Sequence, residues 1–370
     1  MPFYYSIREI DDEAARRRTA EGLLRLRKQL AAEVPKRTLS DTLLLATWNI
    51  REFDSEKYGD RSAEPLHYIA EIISHFDLVA VQEVREDLTA LDRVQEMLGG
   101  WWKYIVTDVT AGSAGNGERM AFLYDGRKVT FGGLAGEVVL PAVKSAEVTQ
   151  FARTPFLCGF KASWTKFNIC TMHAYYGTAK ADDPRRIKEI EDIAEALASR
   201  AKPAKLKQPA RPDGAATAVR NTSPENLILL GDFNIFARAD RTFEGLTKAG
   251  FVVPEELLKL KGSNLKRDKY YDQIAFLVRP DRFGTTSKAD VFDFYKSVFR
   301  DDQEGDYAGP MGPGYGKAKK GSSYYNQWRT FQMSDHLLLW VELKIDFGEE
   351  YLTQIAAGDL PPPAAERPEP

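Results

Sequence analysis

The chain has 370 residues, 43% of them apolar, which is enough to bury a substantial core. Its 51 lysines and arginines stand against 54 acids, a net charge of −3, which excludes a scaffold that holds nucleic acid by bulk positive charge. No apolar run approaches the roughly 18–20 residues of a membrane span, the N-terminal MPFYYSIREIDDEAARRR lacks the apolar stretch of a signal peptide, and a cytoplasmic location is expected.

In chain order, residues 11–33 are rich in Ala, Leu, Arg and Glu and predict a helix, with Leu23, Leu24 and Leu30 on its apolar face. Residues 1–41 thus form a helical extension ahead of the main body, 42–346. Leu43–Ile50 and Leu78–Val81 predict buried strands on either side of a helix over Ala63–His75. Met120–Tyr124 and Val129–Phe131 predict a hairpin turning at Asp125-Gly126. Phe156–Trp164 and Phe167–Met172 predict a second, turning near Trp164-Thr165, with Cys158 and Cys170 nearly opposite each other as free thiols. Leu227–Leu230, Gln273–Val278 and Leu337–Leu343 complete the strands, with helices near 184–200 and 242–249. Strands outnumber helices, and the helices fall between strand groups. That pattern predicts an α/β fold of two packed sheets with flanking helices. The basic stretch 201–224 and the Gly- and Lys-rich stretch 300–330 read as exposed loops. Tyr324, Tyr325 and Trp328 in the latter are expected to pack internally rather than to stack on a ligand. Residues 347–370, ending DLPPPAAERPEP, read as a Pro-rich tail with too little to bury.

The chemistry gathers where strands stop. Asn49 and Arg51 close the first strand, Glu83 the second, His173 the strand 167–172, and Gly231-Asp232-Phe233-Asn234 the strand 227–230. Asp272 opens one later strand and Ser334-Asp335-His336 the last. Taken singly, such residues cap strands or satisfy a core. Taken together they predict one cleft. With no cysteine nearby, a structural zinc site is excluded. Glu83, Asp232, Asn234 and Asp335 offer oxygen ligands for a hard cation, Mg²⁺ or alternatively Mn²⁺ or Ca²⁺. Histidines near acids suggest imidazoles oriented by carboxylates. No G-x-S-x-G elbow is present for a serine hydrolase. Metal, histidine and carboxylate together suit attack of an activated water on phosphorus.

The segments TWNIREF, VQEVRED, ERMAFLYD, FARTPF, MHAYYG, GDFN, YDQI and SDH stand in the order found in the endonuclease/exonuclease/phosphatase superfamily. Over roughly 42–345 the chain resembles the deoxyribonuclease I-like branch. The resemblance implies a four-layer α/β sandwich, with two central mixed β-sheets flanked by helices and one cleft at the sheet ends. It further implies that Glu83 binds the metal, with Asn49 and Asp335 completing its surroundings. Asp232 and Asn234 then position the attacking water and a phosphate oxygen, and His336 pairs with Asp272 and His173 with Glu118 as the acid–base groups. Arg153 contacts a phosphate, and Arg51 and Arg85 lie at the cleft edge where nuclease relatives contact DNA. The residue His173 disfavours abasic-site specificity. AGSAGNG before Glu118 carries no aromatic or basic residue for a minor groove, which counts against a duplex preference. A nucleic acid, DNA or alternatively RNA, is the expected substrate. Rival readings are a phosphodiesterase or phosphatase for a phospholipid, phosphoinositide or nucleotide, and a non-catalytic interaction module.

Overall fold

A computed structural model describes residues 2–53, 61–110, 115–141, 149–201, 226–278, 283–312 and 323–359, with the backbone of 205–206 and 220–221. The strands are β1 (Thr42–Phe53), β2 (Leu78–Val84), β3 (Trp102–Val106), β4 (Arg119–Asp125), β5 (Thr130–Glu137), β6 (Phe156–Ala162), β7 (Thr165–His173), β8 (Lys205–Leu206), β9 (Arg220–Asn221), β10 (Leu227–Asp232), β11 (Asp272–Leu277), β12 (Gly284–Phe292) and β13 (Leu338–Lys344). The α-helices are α1 (Glu13–Glu33), α2 (Ala63–Ser74), α3 (Thr89–Leu98), α4 (Pro184–Ala201), α5 (Arg241–Lys248), α6 (Glu255–Leu258), α7 (Tyr324–Gln332) and α8 (Gly348–Ala356).

One sheet runs β12-β13-β1-β2-β4-β3 and the other β11-β10-β7-β6-β5. Each holds one parallel pair, β1 with β2 and β10 with β7, among antiparallel neighbours, so both are mixed. The sheets pack face to face. Phe122 on β4 meets Phe156 and Phe160 on β6 at ring-centroid distances of 5.6 and 5.5 Å. Gln82 Nε2 reaches across to donate to Thr171 Oγ1 at 2.8 Å, so the dry interface contains a satisfied polar bridge. The central strands read as continuous apolar runs because both of their faces are covered, by the opposing sheet and by helices.

Helix α1 starts at Asp12, whose side chain accepts the Ala14 N–H. Its buried face is Thr19, Leu23, Leu26 and Leu30, packed on α2, while Leu24 is 69% exposed and belongs to the solvent side. The four-residue step from Leu26 to Leu30 carries the stripe that adjacent Leu23 and Leu24 cannot share. Gly22 lets α2 approach closely, since a Cβ there would stand 2.1 Å from the Tyr68 hydroxyl. Between α1 and β1, Arg37 lies 2.6 Å from both Asp77 and Asp125, and Lys128 lies 2.7 Å from Asp77, so these buried carboxylates are paired.

Several expectations are corrected. The turn at Asp125-Gly126 exists, but β4 and β5 do not form a hairpin: β4 pairs with β2 and β3, while β5 pairs with β6 in the other sheet. The chain changes sheets there, and long-range pairing overrides a local turn signal. The β6–β7 hairpin forms as expected, but its register sets Leu157 against Cys170 and Cys158 against Ile169. The buried, free Cys158 and Cys170 are therefore one step out of register, on opposite faces. The stretch 300–330 is not one exposed loop: 301–307 is a 3₁₀ helix and 324–332 is α7, with Tyr325 and Trp328 buried. Residues 348–356, expected within the tail, form α8. Most of 201–224 and the tail from 360 lie outside the described residues. Among the described residues, no helix is long and apolar enough to cross a membrane.

Candidate active site

Strand register builds the centre of the site. Asp232, the last residue of β10, stands opposite Asp272 on β11 and level with His173 on β7. Asp232 Oδ1 accepts the Asn234 N–H at 2.8 Å, and Oδ2 accepts from Asn49 Nδ2 of the other sheet at 3.0 Å. The same Oδ2 lies 3.4 Å from His173 Nε2 and 3.7 Å from His336 Nε2. Burial pushes the Asp232 carboxyl up, but His336 and His173 outweigh it and hold it below the usual carboxylate range. Asn234, with φ 52°, turns its Nδ2 back to donate to Ala174 O at 2.9 Å.

Gly231 makes this crossing possible. Its φ is +131°, and a Cβ there would fall 2.1 Å from Met172 O on β7. Gly231→Ala is therefore expected to lower the melting temperature by several degrees and to cut turnover more than stability, because it shifts Asp232 away from His173. Differential scanning fluorimetry alongside initial rates checks this. An alanine variant as active and as stable as the wild type would contradict it.

His336 Nδ1 lies 2.8 Å from Asp272 Oδ2, which also accepts the Ser263 hydroxyl at 2.6 Å. The backbone around His336 is fixed as well. Its N–H donates to Ser334 Oγ at 3.0 Å, its carbonyl accepts from Trp48 Nε1 at 3.0 Å, and Ser334 Oγ donates to Asn49 O at 2.6 Å. Burial alone would lower the His336 imidazole, but Asp272 and Asp232 overcome it and raise it well above the usual histidine range.

His173 Nδ1 lies 2.8 Å from Glu118 Oε2. Glu118 is gripped from its other side by Arg153, with Nε 2.6 Å from Oε2 and Nη2 2.9 Å from Oε1. Burial would raise the Glu118 carboxyl, yet His173 and Arg153 hold it far below its ordinary value. Burial and Arg153 push the His173 imidazole down, and Glu118 and Asp232 bring it above the usual range. Glu189 on α4 ties the flanking loops together, accepting the Ala152 and Tyr175 N–H groups, each at 2.9 Å.

Glu83 enters from an irregularity between β1 and β2, where the register shifts between Asn49 and Phe53. Glu83 and Glu52 there have φ of 62° and 43°, a bulge beside a functional group. Glu83 Oε1 accepts from Asn49 Nδ2 at 2.9 Å and Oε2 from the Glu52 N–H at 2.7 Å. Asn49 Oδ1 is buried and has no hydrogen-bond partner among the described residues. An orphaned amide oxygen beside a carboxylate fits a hard cation. Asp232, Asp272 and His336 also lie close enough to share an ion. In that trio Asp272 Oδ2 is engaged by Ser263 and His336 Nδ1 in a hydrogen-bonded relay, while Asp272 Oδ1, like Asn49 Oδ1, is buried without a hydrogen-bond partner among the described residues.

The remaining expected residues lie further out. The Asp335 side chain is 45% exposed, and its carboxylate lies 3.8 Å from Arg51 Nε. The Arg51 guanidinium lies 3.9 Å from the Phe331 ring centroid and donates to Thr330 on α7. Arg85 donates to Asn116 O and lies 3.3 Å from Glu52. The three expected phosphate-binding arginines, Arg51, Arg85 and Arg153, are thus all engaged with protein partners. Residues 111–114 of the loop before Glu118 lie outside the described residues. Sequence reasoning missed Ser263 and Glu189, which stand in no motif. The role of Ser334 had a signal, its place in SDH.

The model of the Endonuclease/Exonuclease/phosphatase family matches residues 46–336. The chain belongs to that family. Members of the family are hydrolases of phosphate ester bonds, and the present chain is a hydrolase of that class. No curated protein matches the sequence. Among solved structures, a functionally unknown conserved protein from Enterococcus faecalis is similar at a TM-score of 0.50 and 15% identity, covering 82% of this chain and 100% of its own. The mannosyl-6-phosphatase of Bacteroides thetaiotaomicron has a TM-score of 0.48 and 18% identity over 81% of this chain and 99% of its own. D. rerio TDP2 complexed with single strand DNA product has a TM-score of 0.49 and 12% identity over 82% and 98%. At 15% identity the likeness to the Enterococcus faecalis protein speaks for the fold alone, two mixed sheets flanked by helices.

Proposed function

We propose that the protein is a divalent-metal-dependent phosphodiesterase that cleaves nucleic acid, DNA first. The observation that carries the reading is Asp232, set by strand register between two imidazole–carboxylate pairs and joined through Asn49 to Glu83. Glu83 and Asn49 Oδ1 would hold Mg²⁺ or Mn²⁺, with the half-exposed Asp335 at the edge. When bound, the cation supplies Lewis-acid polarisation of a phosphate oxygen. Asp232, kept ionised, orients the attacking water and accepts its proton, with Asn234 ordering the loop beside it. His173 and His336 are both raised by neighbouring carboxylates against the pull of burial, a shift that favours their protonated forms. They donate to the phosphoryl oxygens as charge builds on the five-coordinate phosphorus, and one of them delivers a proton to the leaving oxygen. Arg153 holds Glu118 through Nε and Nη2, and its Nη1, which makes no hydrogen bond among the described residues, would meet a phosphate oxygen.

A second reading, hydrolysis of a small phosphate ester, is favoured by the same arginines, since each already has a protein partner. A substrate panel separates the two. With Mg²⁺ or Mn²⁺ and plasmid, single-stranded DNA, RNA, sugar phosphates, nucleotides and phospholipids, nucleic acid is expected to be cleaved at the highest kcat/KM. Clear turnover of a sugar, lipid or nucleotide ester with intact polynucleotides overturns the reading.

A further inference from the structure

Three aromatic rings lead away from His336. Tyr271 packs on the imidazole at a centroid distance of 5.4 Å, Phe236 meets Tyr271 at 5.5 Å, and Tyr176 meets Phe236 at 6.3 Å. Each ring sits at a strand end that also delivers a site residue: Tyr271 directly before Asp272, Phe236 two positions after Asn234, and Tyr176 three after His173. The outermost ring is open to solvent, with Tyr176 42% exposed, Tyr271 partly buried and Phe236 nearly covered between them.

The wall is built to stay in place. Arg186 is fully buried, yet among the described residues its guanidinium donates to backbone carbonyls and to no carboxylate. It donates from Nη1 to Tyr176 O at 2.7 Å and from Nη2 to Lys180 O, and its guanidinium lies 4.8 Å from the Phe236 ring centroid. Asp183 accepts both the Thr178 N–H and its hydroxyl at 3.2 Å, closing the same loop. A buried guanidinium spent on backbone carbonyls is a costly way to hold a loop, and the element it holds most directly is Tyr176.

A phosphate seated against His173 and His336 places one of its ester substituents beside this wall. The wall offers ring faces and two phenol hydroxyls. Ring faces recognise the π-face of a base. In a duplex those faces are already stacked on their neighbours, whereas a single strand presents them. Lys269 Nζ, 5.1 Å from the Phe236 centroid, supplies a cation along the same path.

We propose that Tyr176 and Tyr271, backed by Phe236, form a stacking subsite for the bases of a single-stranded nucleic acid next to the scissile phosphate. The inference rests on the phosphodiesterase reading and narrows it: affinity comes from stacking more than from phosphate neutralisation.

The test compares steady-state kinetics on a fluorescein-labelled single-stranded DNA and on the same sequence as a blunt duplex. The single strand is expected to have the higher kcat/KM. Tyr176→Ala is expected to raise KM for the single strand about 5- to 150-fold, the cost of one lost stacked base, with a smaller effect on kcat. Tyr176→Phe keeps the ring and is expected to restore KM to within about twofold. The slope of affinity against salt is expected to stay unchanged in Tyr176→Ala, because no phosphate contact is lost. Equal cleavage of duplex and single strand, an unchanged KM in Tyr176→Ala, or failure of phenylalanine to rescue overturns the subsite and leaves the phosphodiesterase reading standing. A wild type that cleaves no nucleic acid while hydrolysing another ester overturns both.

Discussion

His336→Ala is expected to lower kcat by about 10²–10⁴, the usual cost of a lost acid–base group or oxyanion donor, while thermal unfolding stays within a few degrees of the wild type. The separation is possible because the ring and ion partners of the imidazole among the described residues are Tyr271, Asp272 and Asp232, none of which ties the last strand to β1. The backbone contacts that stitch the last strand to β1, through Ser334 and Trp48, survive the substitution. The pH dependence has a definite sign. His336 is raised above its ordinary value against the opposing pull of burial, chiefly by Asp272, so activity is expected to fall on the alkaline side as the imidazole loses its proton. Asp272→Asn removes the charge that raises it, so the alkaline limb moves to lower pH. The double variant is expected to be far from additive, since the two groups act as one unit. A stable His336→Ala with near-normal turnover, or an Asp272→Asn profile displaced to higher pH, contradicts the assignment.

Exhaustive chelation is expected to abolish hydrolysis, and Mg²⁺ or Mn²⁺ to restore it. Glu83→Gln keeps the shape of the side chain and removes its charge, so Mn²⁺ binding, read by calorimetry without substrate, is expected to weaken at least 10–100-fold, the loss seen when even an outer partner of a ligand is removed. Asn49→Ala, which deletes the orphaned Oδ1, is expected to weaken binding in the same direction. Asp272→Asn discriminates between the cradles, because its carboxylate belongs to the relay with His336 and Ser263. Its Mn²⁺ affinity is expected to match the wild type. Metal binding that survives Glu83→Gln but vanishes in Asp272→Asn places the ion among Asp232, Asp272 and His336 instead. Turnover that persists through chelation removes the metal from the reaction.

The chemistry was legible because polar residues at the ends of apolar runs stand out against their surroundings. GDFN, SDH and YDQI each border a buried strand, and register brings Asp232, Asp272 and His173 into line without further information. The supports were not legible. Ser263 is a lone serine in a loop, and nothing local marks it as the partner of Asp272. Arg153 reads as a phosphate ligand in ARTP, but burial forces a guanidinium onto a carboxylate, and Glu118 is the one within reach. The edge strand β12 was invisible because its residues, GTTSKADVF, are mostly half-buried polar or small side chains and carry no alternating apolar signal. Helix α7 was hidden by the glycine- and lysine-rich residues before it, and its buried face became readable only once Phe299 and, in the 3₁₀ segment, Tyr307 supplied partners for Tyr325 and Trp328.

The placement of β13 also separates what is inherited from what can be exchanged. The family's motifs span 46–336, an interval that opens inside β1 and closes two residues before β13. Yet β13 lies between β12 and β1, pairing Leu338–Lys344 with both, and Ile345 donates to Asp41 O at 3.0 Å. A module excised or grafted at the motif limits loses the middle of its sheet. Its remaining edge strand β12 then has no neighbour, and β1 is cut short of Leu43, Leu44 and Leu45, three fully buried residues of the core. The smallest portable unit of this enzyme is therefore wider than its catalytic signature, and recombination between relatives is tolerated only at crossovers that carry both flanks together.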